Sequence, residues 1–156
     1  MAKKEIEENR TTSFGLLIYA DEYFHAYHTL VMSKEHRWPK QVLAFLFCHG
    51  VELSLKSFLR NKGVSVNNLI GKYGHDLNKL VDECKHQGID DYHIFTDEDW
   101  AKISALNQLY KNKEFEYIVS GIKPFPASID ETFTHFTKFV HDITQMCQQT
   151  NRKERE

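Results

Sequence analysis

Residues 42–59 read Val42-Leu43-Ala44-Phe45-Leu46-Phe47-Cys48-His49-Gly50-Val51-Glu52-Leu53-Ser54-Leu55-Lys56-Ser57-Phe58-Leu59. With Pro39 ahead as a first-turn residue and Gly63 behind as a left-handed cap, the stretch predicts a helix from Pro39 to about Asn61. Its apolar residues (Val42, Leu43, Phe45, Leu46, Phe47, Val51, Leu53, Leu55, Phe58, Leu59) surround the axis. A helix apolar on nearly all sides is central and covered by neighbours.

The flanking segments carry helical periodicity as well. A first helix is expected from Thr12 or Ser13 to Met32, with Ala20, Phe24, Tyr27 and Val31 on one face. After a short segment, Val66 to Lys72, the stripe Leu77, Leu80, Val81 and Cys84 predicts a helix that Gly88 ends. Thr96 with Asp99 resembles a capping box that opens the next helix, whose stripe is Trp100, Ile103, Leu106 and Tyr110. Phe115 to Ile122 reads as an irregular or briefly extended excursion. Ser128 with Glu131 predicts a second capping box. Behind it Ile129, Phe133, Phe136, Val140, Ile143 and Cys147 form a narrow seam against other helices or a second subunit. The expected fold is an all-α, up-and-down bundle of about five helices over residues 12–150. Residues 1–11 and 151–156 are expected to be charged, solvated tails.

The 156 residues are 41% hydrophobic and 27% charged, which excludes disorder over most of the length and suits one core. Formal charge is −2, so no net basic field draws in nucleic acid, and any such binding must come from a local patch. Cys48, Cys84 and Cys147 stand apart and read as reduced, buried thiols. No secretory leader and no run of ~18 uninterrupted apolar residues is present, so a cytoplasmic chain with no membrane partner is expected.

One polar pattern in the central helix is left unexplained by the bundle. His49, Glu52, Lys56 and Arg60 fall within an arc of about 80°. Buried charge must be paired, and Glu52 can meet Lys56 at i,i+4. The stripe is a solvated edge, a subunit interface, or a partly buried cluster that defines a binding groove. His75, in Gly74-His75-Asp76-Leu77, stands at a helix start, where it or Asp76 could cap the backbone; the chain's return could also bring it to the stripe. Metal chemistry is not expected: Glu22-x-x-His25 and Glu83-x-x-His86 match a di-iron step but lie about 120–200° from their helices' apolar faces. Neither a nucleophile elbow nor a phosphate loop is present, and no cofactor is implied.

The run Phe47 to Leu59, then Gly63, then Gly74-His75-Asp76-Leu77 and Leu80, resembles the HEPN superfamily of small helical bundles. That resemblance implies homodimers and roles in RNA cleavage, toxin–antitoxin pairs, defence or nucleotide-related binding. The ribonuclease branch carries Arg-x4–6-His. The only arginines are Arg10, Arg37, Arg60, Arg152 and Arg155, and none stands at that spacing before a histidine. No catalytic residue is therefore carried over. The reading is a non-catalytic, dimeric binding module for RNA, a nucleotide or a protein, with His49, Glu52, Lys56, Arg60 and His75 as candidate site residues. The alternatives are an atypical metal-independent ribonuclease built on the same His/Glu/Lys cluster and a purely structural interaction protein.

Overall fold

The computed structural model describes residues 8, 10–33, 39–117, 125–126 and 128–153. Six α-helices carry the described chain: α1 (Ser13–Met32), α2 (Lys40–Asn61), the single turn α3 (Val66–Asn68), α4 (Leu77–His86), α5 (Asp97–Tyr110) and α6 (Asp130–Lys153). No strand occurs among the described residues. The fold is all-α, as the periodicity predicts. α2 is its axis and packs against α1, α4, α5 and α6. By length and composition alone α2 could cross a membrane, yet 67% of its most apolar stretch is buried inside the fold.

Local chemistry places the ends. Thr12 accepts from the Gly15 N–H to start α1, and Thr96 with Asp99 forms the predicted capping box on α5. Gly63 and Gly88 take positive φ where α2 and α4 end. Gly50 has a different task. A Cβ there would sit 2.6 Å from the Phe24 ring, so the missing side chain is what lets α1 close onto α2. Phe24, Phe47, Phe58, Phe136 and Phe139 fill the centre.

Several expectations need correction. Val31 is exposed, and Leu17 joins Ala20, Phe24 and Tyr27 on the buried face of α1. Pro39 is the N-cap of α2 instead of its first helical residue, and Val42 faces solvent. Ser128 engages Asp130 (3.0 and 3.3 Å) in place of Glu131. The α6 seam, by contrast, meets other helices, one of its two expected partners: Phe133 packs on Phe24 and Tyr27 and Phe136 on Phe47. The N-terminal tail is not wholly free, because Glu8 is gripped by Arg60 at 2.7 Å. The helix at the C-terminus runs on to Lys153, into the expected tail. Phe115 to Tyr117 forms a turn, and the rest of that predicted excursion lies outside the described residues.

Candidate functional site

α2 brings His49, Glu52 and Lys56 onto one side, and the fold closes three other elements around them. Glu52 is 2% exposed. Its Oε1 accepts from Lys56 Nζ at 2.6 Å, and its Oε2 accepts from the Tyr110 hydroxyl at 2.5 Å. His75 Nδ1 reaches the same Oε2 at 2.9 Å, and His49 Nδ1 meets the Tyr110 oxygen at 2.8 Å. The expected pair is thus present and buried, with His49 and His75 beside it. Arg60 does not join them. It holds Glu8, the Glu8 and Thr11 carbonyls and the Val64 carbonyl, tying the N-terminal segment to α2.

His75 arrives by an unusual backbone. Leu69–Tyr73 forms a π turn anchored by the buried side chains of Leu69 and Tyr73, and Gly74 follows at φ 54, ψ −124. That conformation is open mainly to glycine, and π turns gather at functional sites. Asp76, not His75, caps α4 by accepting from the Asn78 and Lys79 N–H groups. Buried Asn107 of α5 then locks this corner: its Oδ1 accepts from Leu77 N at 2.8 Å and its Nδ2 donates to Asp76 at 2.9 Å. Asn107 escaped the sequence reading, and Tyr110 entered it only as a member of the α5 stripe. The available signal was chemical, since a buried tyrosine hydroxyl on a helix stripe needs a partner.

The protonation pattern follows from the bonding. Burial opposes the charged form of Glu52, but the adjacent Lys56 and the three donated hydrogen bonds outweigh it and hold the carboxyl below its usual range. A carboxylate only accepts, so the Tyr110 proton lies toward Glu52 and His75 Nδ1 must carry a hydrogen. The Tyr110 oxygen then accepts from His49 Nδ1–H. Burial first, then His75 and Lys56, keep the His49 imidazole less basic than usual against the pull of Glu52. Both imidazoles therefore engage the cluster through Nδ1. His49 is flanked by Tyr23 edge-on at 4.5 Å and by Phe45 stacked at 5.6 Å. Burial pushes the Tyr110 hydroxyl and the Cys48 thiol up, so neither is a ready nucleophile.

The candidate di-iron steps stay apart from this centre, with Glu22, His25 and His86 exposed and Glu83 bonded to Gln87. No family model, curated protein or solved structure matches the chain.

Proposed function

We propose that this chain is a non-catalytic binding module of the HEPN kind that takes RNA or a nucleotide where His49 and His75 emerge from the Glu52 cluster, in a toxin–antitoxin or defence setting. The observation that carries the reading is the bonding of Glu52. Lys56, Tyr110 and His75 all donate to the carboxylate and occupy three of its roughly four acceptor sites, while His75 is half-exposed beside it and His49 is partly buried. Half-buried Tyr23 and Phe45 beside them offer faces on which a base or sugar can pack. Titrating labelled single-stranded RNA and ribonucleotides against the purified protein tests this. Binding that weakens at least tenfold in His75→Ala supports it, and absence of any binding ends it.

A second reading, an atypical ribonuclease, draws on one feature: two imidazoles lie within 3.9 Å of a single carboxylate oxygen. RNA cleavage without metal, lost in His49→Ala and His75→Ala, would replace the first reading with this one.

The module is proposed to be dimeric through the outer face of α1. Ile18, Tyr19 and Met32 are exposed there, and Asp21 and Glu22 precede His25 and His28 on the same surface. An antiparallel second copy would set acids against imidazoles and Ile18 toward Met32. Sedimentation should give a dimer that Ile18→Asp dissociates; an 18.4 kDa monomer at tens of micromolar excludes it.

A further inference from the structure

We infer that the cavity between the starts of α2 and α6 binds a free α-amino acid with an apolar side chain, its carboxylate toward Lys40 and its ammonium toward Asp130. None of His49, Glu52, Lys56, Tyr110 and His75 lines this cavity, so the inference stands apart from the reading above. The cavity measures about 220 Å³. An apolar cavity of roughly 150 Å³ takes a benzene ring, and drug-sized ligands need roughly 300 Å³ or more. One compact side chain with a polar head is the size that fits. The apolar lining suits the side chain: Leu43 and Ala44 of α2, Leu106 of α5 and Ile129 share it with Phe125, which stacks on buried Phe115 at 5.8 Å.

The polar lining sets the head. Lys40 and Asp130 both line the cavity, yet they form no ion pair, and among the described residues Lys40 has no acidic partner. Two opposite charges left apart at one cavity satisfy a ligand that carries both, whereas a singly charged ligand meets a like charge. The start of α2 reinforces the Lys40 end, because it has no side-chain cap and no acidic residue in its first turn. Ser128 donates to Asp130 Oδ2 at 3.0 Å and steadies that carboxylate. Tyr27 completes the acidic end. It is 6% exposed, it lines the cavity, and among the described residues nothing hydrogen-bonds its hydroxyl. Burial first, then the charge of Asp130, push that hydroxyl up to about 12, so it keeps its proton beside the carboxylate. A buried hydroxyl without a partner is costly. An ammonium held by Asp130 supplies the partner, since a second N–H can donate to the Tyr27 oxygen.

Proton–nitrogen NMR of the intact chain, titrated with L-phenylalanine and L-leucine, tests the assignment. Saturable shifts are expected at the amides of Lys40, Leu43 and Leu106. Hydrocinnamate lacks the ammonium and phenethylamine lacks the carboxylate. Each should bind about tenfold or more weakly than L-phenylalanine, the cost of one hydrogen bond to a charged group. Lys40→Gln and Asp130→Asn should each weaken L-phenylalanine by about the same factor. Absence of saturable shifts with both amino acids at millimolar concentration would overturn the inference, as would equal affinity for either one-charge analogue. Tyr27→Phe gives an arm that needs no ligand. Removing an unpartnered buried hydroxyl should leave the melting temperature of the free protein unchanged or raised. A fall would show that the hydroxyl is already bonded within the protein, and would overturn the inference.

Discussion

Two buried carboxylates in this molecule, each 2% exposed, hold a histidine by its Nδ1, and they do different work. Asp99 belongs to the capping box of α5. It accepts from the Thr96 backbone and hydroxyl at 2.8 Å each and from His135 of α6 at 2.7 Å. Nearby, His93 reaches Asp142 at 2.8 Å, so α6 is fastened to the α4–α5 connection and to the start of α5. Among the described residues no backbone N–H donates to Glu52 in this way. Its partners are side chains from α2, α5 and the π-turn corner. A carboxylate that spends itself on its own turn is a staple, and the imidazole it holds is a strut. One that serves only side chains ties separate segments together, here α2, α5 and the π-turn corner. Burial and a histidine partner do not separate the two cases; the origin of the remaining donors does.

The sharpest break in that comparison is Glu52→Ala. It strands Lys56, Tyr110 and His75, and should cost about 3–5 kcal/mol in chemical denaturation, whereas replacing Glu52 and Lys56 together by Leu and Met should cost far less. Asp99→Ala removes a cap and one strut, so about 2 kcal/mol is expected, with helix α5 frayed at its start in hydrogen exchange. Tyr110→Phe leaves the packing and deletes the hydrogen bond to a charged acceptor, a loss of about 1.5–2 kcal/mol that Glu52→Ala should absorb in a double-mutant cycle.

The pH dependence should separate the clusters by where each erodes. The folded carboxyls of Glu52 and Asp99 sit below their ordinary values of 4.5 and 3.8, so their stability is present above those values and is lost as pH falls through the folded ones. His49 is held below 6.5, so the unfolded chain takes its proton first and erosion of the Glu52 cluster begins there on acidification. Melting curves from pH 7 downward should show this early loss, and it should be absent in His49→Phe. The smallest effect expected is that of His135→Ala, about 1 kcal/mol or less, since the ring is partly exposed and Asp99 keeps its cap.

Much of the fold could be read before any coordinates. Thr12, Thr96 and the glycines at 63 and 88 mark helix ends because caps depend on residues a few positions apart. Val31 misled because its position on the α1 stripe is right but the stripe outruns the core that covers it. The α6 seam was legible as a contact, though which of its two expected partners it meets was not. Arg60 shares the angular arc of the stripe, yet the rise of a full turn beyond Lys56 carries it toward Glu8 and Thr11.

What the sequence alone determined is whatever one helix can decide: that α2 is central, and that Glu52 and Lys56, four residues apart on it, stand close enough to pair. The distances that make a site of them were settled elsewhere. Tyr110 lies 58 residues from Glu52, and His75 lies 23 residues away across a π turn that no periodicity announces. The close approach of Phe24 over Gly50 and the Asn107 lock on Leu77 and Asp76 belong to the same class. Spacing along a helix fixes angles within that helix, while a hydrogen bond between elements depends on how the whole core packs, and only the tertiary structure supplies that.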